Sequence, residues 1–190
     1  MRRVGVVLLW VALSLGLQAQ DWRPLGPHVG LYVGYSFIDE QLENNGRYHP
    51  WLVMLQIQVP LSKNDRLSLF LEPQFNFATL EPAPSRYDEY EAGVNLGFRY
   101  AQPIGERTFA YGAISAGPHF ITAMTRQQAD GFIFSDNFTL GVGHQVAPNW
   151  QWQGAIRFRH LSNAGLQEPN LGLDNWFIVS GFSRQWQPNK

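Results

Sequence analysis

Period two governs this chain. Eight segments of roughly 10–15 residues alternate between large apolar and small or polar side chains, the second and fifth less cleanly than the rest. They lie at about 28–38, 50–61, 66–78, 88–101, 107–121, 132–146, 149–162 and 174–186. In the first, Val29, Leu31, Val33, Tyr35 and Phe37 share one side, and His28, Gly30, Tyr32, Gly34 and Ser36 share the other. In the third, Leu67, Leu69, Leu71, Phe75 and Phe77 oppose Ser68, Glu72, Gln74 and Asn76. In the fourth, Tyr90, Ala92, Val94, Leu96, Phe98 and Tyr100 oppose Glu91, Gly93, Asn95, Gly97 and Arg99. Successive side chains of a strand point to opposite faces, so each set belongs to one face of a sheet. Beyond residue 27 no helical spacing occurs, and no apolar run approaches the ~20 residues a spanning helix needs.

The connections alternate too. Short ones fall at 62–65, 102–106 and 147–149, and long polar ones at about 39–49, 79–87, 122–131 and 163–173. Short turns on one side and long loops on the other are the pattern of an outer-membrane barrel with both chain ends in the periplasm. The expected fold is therefore all-β, an eight-stranded antiparallel up-and-down transmembrane barrel. An eight-strand barrel has an interior just wide enough for side chains. Glu72, Glu91, Arg99, Arg157 and Arg159 are expected to fill it and pair with one another. The large apolar side chains then meet lipid, and closure pairs every backbone group. Trp51, Trp150, Trp152, Trp176 and Trp186 fall near segment ends, as an interfacial girdle requires. A soluble barrel would turn the other face outward, and that face, rich in glycine and poor in charge, makes a poor soluble surface.

The front of the chain agrees with export. Arg2 and Arg3 precede an apolar run from Val4 to Leu17, and Leu17-Gln18-Ala19 ends on a small residue suited to cleavage. The expected organisation is a signal peptide over 1–19 and a barrel over 20–190. The formal net charge is −1, with no basic run of the kind that binds nucleic acid. There is no cysteine, so neither a disulfide nor a lipid-anchored thiol contributes.

One stretch stands apart from this scaffold. Arg159 to Asp174 places a histidine and a serine two residues apart at the end of the seventh segment, followed by a polar loop. In that segment Trp150, Trp152, Ile156, Phe158, His160 and Ser162 share a face; if the aromatic residues meet lipid, so do His160 and Ser162. The segment runs outward, which puts the pair at the depth of the outer leaflet. Cα atoms at i and i+2 of a strand lie about 6.5–7 Å apart, close enough for an imidazole to lean over to a hydroxyl. A serine beside a base is an activated nucleophile for acyl transfer, and a carboxylate is wanted on the other ring nitrogen. Two candidates exist. If 163–173 is the loop, Ser162 opposes Asp174, which is then diagonal to His160. If Ala147-Pro148-Asn149 is a tight turn, Asp136 lies directly opposite His160. A rim histidine and serine in the headgroup layer is the bland alternative.

His160-Leu161-Ser162-Asn163-Ala164-Gly165-Leu166, followed by Pro169-Asn170, resembles the lipid A 3-O-deacylases, the PagL-type outer-membrane enzymes. The resemblance is carried by about 159–170; elsewhere it consists of the eight-strand plan, the signal segment and the length. It implies a catalytic triad on the lipid-facing barrel wall. Ser162 is implied as nucleophile, His160 as base, and Asp174 as acid where family members carry glutamate. Asn163 and the Gly165 backbone amide are implied as oxyanion donors. The implied activity is a serine esterase that removes the ester-linked acyl chain at position 3 of lipid A, with no metal or cofactor. The expected partners are lipopolysaccharide and outer-membrane lipid, not nucleic acid, with room for a homodimer. A non-enzymatic barrel for adhesion or anchoring is the alternative; a small pore is weaker, because the interior is charged. His28, His49, His119 and His144 show no metal-ligand spacing and read as structural or surface residues. Glu168 reads as a solvated loop charge.

Overall fold

The computed structural model describes residues 27–38, 40–42, 46–64, 66–81, 87–125 and 127–186. The expected signal segment, 1–19, lies outside the described residues. The strands are β1 (His28–Ile38), β2 (Glu40–Leu42), β3 (Gly46–Pro60), β4 (Leu67–Glu81), β5 (Tyr87–Pro103), β6 (Thr108–Ile121), β7 (Gly131–Ala147), β8 (Trp150–Ser162) and β9 (Leu173–Gln185). Each pairs antiparallel with its sequence neighbour from β3 to β9, and β1 pairs with both β9 and β3, which closes the barrel. The short β2 pairs with β3 beyond the end of β1, so the wall has eight positions, as the alternation predicts.

The strands run further than the sequence pattern marks. β3 begins at Gly46, where a loop is expected to reach 49, and β4 continues to Glu81. Ladder pairs such as Arg47↔Glu81 and Thr79↔Asp88 extend these hairpins on the long-loop side. Alternation is hard to read there because the residues added, Arg47, His49 and Thr79, are polar on either face, although Tyr48 still turns inward into a buried position.

The apolar part of the outer wall follows from lipid being the solvent. Leu31, Val33, Leu96, Ile114, Leu140, Ile156 and Ile178 are all at least half exposed, and they form an apolar band. Trp51 and Trp176 lie toward the long-loop end, and Trp150, Trp152 and Trp186 toward the short-turn end.

The inner face is layered. Tyr48, Ala78, Ile121, Ala123, Ile133, Leu161 and Leu173 form a buried apolar plug at the outer end. Beneath it lie the charges. Arg159 Nη1 donates to Glu91 Oε2 at 2.9 Å, and Arg157 Nη2 to Glu72 Oε1 at 2.6 Å, all four side chains being essentially inaccessible. Charge-assisted bonds offset the desolvation of each member, so losing one partner is far costlier than losing both. The expected mutual pairing thus holds for two arginines. Arg99 departs from it: its guanidinium lies 4.0 Å from the Tyr111 ring centroid and donates to Gln58 at 2.9 Å and Gln153 at 3.1 Å. Its position on β5 is four ladder steps nearer the periplasm than Asn95, beyond the level of both glutamates, so aromatic faces and amide oxygens take their place. His119, expected to be structural or surface, is buried, with Nδ1 2.6 Å from Glu91 Oε1 and Nε2 3.1 Å from Asn95 Oδ1. It knits β6 to the Glu91–Arg159 pair.

Candidate active site

Side chains on β8 alternate strictly at its outer end. Arg159, Leu161 and Asn163 point inward and are 0–1% exposed, while Phe158, His160 and Ser162 are partly exposed on the other face. The buried set pins the backbone, so the exposed set stands on a rigid element and not on a loop.

Register brings the carboxylates in. Asp136 on β7 pairs with His160, as the tight-turn reading predicts, although the turn itself carries a bulge between Gln145 and Ala147. Asp174 on β9 also pairs with His160, directly and not diagonally. The expected register for that hairpin is off by two residues, because Leu161 and Leu173 pair to complete the apolar plug. An even shift preserves the face, so Asp174 remains outward. One row across β7, β8 and β9 therefore reads Asp136, His160, Asp174 on the lipid side. The next row toward the periplasm is Phe138, Phe158, Trp176, with the last two ring centroids 5.2 Å apart.

The imidazole is bonded on one side. His160 Nδ1 lies 2.6 Å from Asp174 Oδ1, with side chains 38% and 56% exposed respectively. A carboxylate there accepts from Nδ1–H and leaves Nε2 as the basic nitrogen. Asp136 is exposed in the same row, between Phe134 and Phe138 along β7. Ser162 is on the same face, two residues beyond the ring and paired with Phe134. Among the described residues neither Asp136 nor Ser162 is hydrogen-bonded to His160. Nor do three His, Asp or Glu side chains converge among them to hold a metal ion.

Asn163 and Gly165 are bonded to each other. Gly165 N–H donates to Asn163 Oδ1 at 3.0 Å, and Asn163 Nδ2 donates to the Gln167 carbonyl at 2.6 Å. The Asn163 backbone N–H in turn donates to Asn170 Oδ1 at 2.8 Å. Asn163 thus builds the turn, helped by the left-handed backbone of Gly165 at φ 78°. A second set of bonds, which the sequence does not announce, joins 163–172 to the loop between β6 and β7. Ala129 N–H donates to the Pro169 carbonyl at 2.8 Å and Leu171 N–H to the Gln127 carbonyl at 2.6 Å, with Gln128 and Asn170 forming a β-bridge.

A closed barrel with an apolar band, interfacial tryptophans and a packed polar interior is an outer-membrane β-barrel, and the protein resides in that membrane. The family model of lipid A 3-O-deacylase (PagL) matches residues 51–183, a span that includes the whole Asp136–His160–Asp174 row. The chain belongs to that family. Among solved structures it is similar to Neisserial surface protein A, at 12% identity and TM-score 0.59 over 85% of this chain and 97% of that one. It is similar to the outer membrane enzyme PagL, at 16% identity and TM-score 0.56 over 81% of this chain and 97% of that one. It is also similar to OprG from Pseudomonas aeruginosa, at 11% identity and TM-score 0.56 over 86% of this chain and 97% of that one. At such identities these likenesses concern the barrel fold. No curated protein matches the sequence, and the comparisons lend no support to a homodimer.

Proposed function

We propose that this protein, exported by the segment over 1–19, is a serine esterase of the outer leaflet. It hydrolyses the ester that links an acyl chain to position 3 of lipid A. The observation that carries the reading is the His160–Asp174 hydrogen bond on the lipid face, two residues from Ser162, in a chain of the lipid A 3-O-deacylase family. In this reading Asp174 holds the ring with its proton on Nδ1. His160 Nε2 takes the proton of Ser162 Oγ as that oxygen attacks the acyl carbonyl. The tetrahedral intermediate collapses, His160 returns the proton to the leaving sugar oxygen, and water then releases the fatty acid from Ser162 by the same route. Direct opposition of Asp174 and His160 suits an aspartate, since a longer acid is not needed to span a diagonal.

Asn163 and Gly165 are the candidate oxyanion donors. The Gly165 N–H now given to Asn163 Oδ1 would turn to the substrate oxygen as negative charge develops there. Lipopolysaccharide fills the outer leaflet, so the ester would sit at headgroup depth and its chain would lie against Phe158 and Trp176.

The test is mass spectrometry of lipid A incubated with purified wild type, Ser162→Ala and His160→Asn. Both variants should keep the heat-resistant mobility of a folded barrel and lose release of the 3-linked chain. Full deacylation by either would refute the mechanism. Unchanged lipid A with the wild type would favour a barrel without this activity.

A further inference from the structure

The segment facing the free edge of the imidazole is the backbone of Gly172. It is buried, adopts φ +87°, and immediately precedes Leu173, which is 0% exposed in the apolar plug. A Cβ placed on Gly172 would lie 2.5 Å from His160 Cε1, 3.1 Å from His160 Nε2 and 3.0 Å from the Leu161 carbonyl oxygen. Real Cβ atoms do not tolerate the first of these distances, so the ring and the glycine occupy space that one added methyl would contest. The glycine cannot simply retreat. On one side Leu173 is locked against Leu161, and on the other Leu171 and Pro169 are bonded to Gln127 and Ala129 of the β6–β7 loop.

We infer that Gly172 is a positioning residue for His160, a bare backbone wall that sets the tilt of the imidazole once Asp174 has fixed Nδ1. The inference rests on the esterase reading for its catalytic meaning, but its geometry stands without it. The ring is held at three points: Cβ by strand β8, Nδ1 by Asp174, and the Cε1–Nε2 edge by Gly172. The bonds between the two outer loops hold that wall in place. A side chain at 172 would press on the edge that carries the basic nitrogen and swing Nε2 away from its set direction. Displacements of that size at a proton-transferring group act on turnover more than on substrate binding.

The experiment compares Gly172→Ala with Gly131→Ala. Gly131 shares a left-handed backbone, at φ +95°, but an added Cβ there meets nothing within 4 Å. The two variants therefore share a left-handed backbone and differ in contact with the imidazole and, more loosely, with the Leu161 carbonyl oxygen. Gly172→Ala should lower kcat for lipid A deacylation by at least about tenfold with KM changed less than about twofold, whereas Gly131→Ala keeps kcat. A second readout needs no activity. In folded barrels with labelled histidine, the low-field proton resonance of the short His160–Asp174 bond should shift or broaden in Gly172→Ala and stay in place in Gly131→Ala. Wild-type kcat together with an unmoved resonance in Gly172→Ala would overturn the inference. A moved resonance in a protein that never deacylates lipid A would keep the positioning role and sink the esterase reading. Should Gly172→Ala fail to fold, Leu171→Pro removes the N–H given to Gln127 from an exposed position. The wall would then loosen without a new contact on the ring, with a smaller kcat loss expected. Unchanged kcat in that variant would overturn the loop-bonded wall.

Discussion

Replacing Asp174 by alanine is the sharpest probe of the site. The carboxylate is hydrogen-bonded to His160 Nδ1, at 2.6 Å. A hydrogen bond to a charged group is worth about 1.5–3 kcal/mol net. In the esterase reading it is strongest when the ring becomes imidazolium, so its loss falls on the transition state. At 1.36 kcal/mol per decade the expected fall in kcat/KM is about 10- to 160-fold. A fully buried triad acid can cost about 10⁴-fold. The smaller figure applies here because the two side chains are 38% and 56% exposed, so water or headgroup oxygens can partly take over at Nδ1. Asp136 stands on the other flank of His160, and Asp136→Ala is expected to change the rate by less than about threefold, since it makes no bond to the ring. Initial rates of fatty-acid release from lipid A in mixed micelles decide the matter, with folded fractions matched by gel mobility. If Asp174→Ala keeps its rate within twofold while Asp136→Ala loses tenfold or more, the orienting acid has been assigned to the wrong strand. If both keep it, no carboxylate orients the ring.

Other outcomes follow from the same packing. Glu91→Ala leaves Arg159 and His119 buried without their carboxylate, and about 3–5 kcal/mol of stability should be lost; urea titration followed by tryptophan fluorescence reads it, and the paired Glu91→Leu, Arg159→Met variant should recover most of it. Leu140→Arg puts a charge on the lipid face near the middle of β7 and should cost about 2–4 kcal/mol, whereas Leu166→Arg in the outer loop should cost nothing measurable in the same titration. Gly117→Ala would set a Cβ 1.9 Å from the Val94 carbonyl oxygen, so the β5–β6 contact must open; a loss of about 1–3 kcal/mol, or failure to fold, is expected in refolding yields.

What the sequence discloses about this barrel depends on which environment sorts its side chains. Where lipid lies on one face and a packed interior on the other, alternation is strict, and the faces of β1, β4, β5 and β8 can be read directly. The same parity places His160 and Ser162 outward. The position of Asp136 is legible because the connection is short: the turn is one residue tighter than the sequence suggests, and the bulge between Gln145 and Ala147 restores the expected register. Asp174 is legible as to face but not as to partner. A ten-residue loop leaves the register of β8 and β9 free, and the pairing of Leu161 with Leu173 settles it. Contacts between distant segments leave no local pattern. Nothing near His119 announces Glu91, 28 positions away, and nothing near Gly172 announces a ring 12 positions back. The lone glycine at the end of a loop is the one trace of that contact, and it reads equally as ordinary turn chemistry.

The packed interior also constrains where any chemistry can take place. Arg157, Arg159, Glu72 and Glu91 fill the lumen, and the apolar plug from Tyr48 to Leu173 closes it toward the outside. From the outer leaflet no lipid could enter the lumen without displacing that plug and the ion pairs beneath it, so a site directed at outer-leaflet lipid has the outer wall available. There a polar row is tolerable only near the interface, which is where the end of β8 places His160. The alternation then ties the two faces together, because Arg159 and Leu161 flank His160 on either side along the strand while pointing the opposite way. The ion pair and plug that stabilise the barrel hold the backbone from which the imidazole projects. A lipid-exposed histidine thus acquires the rigidity that most active sites obtain by being buried.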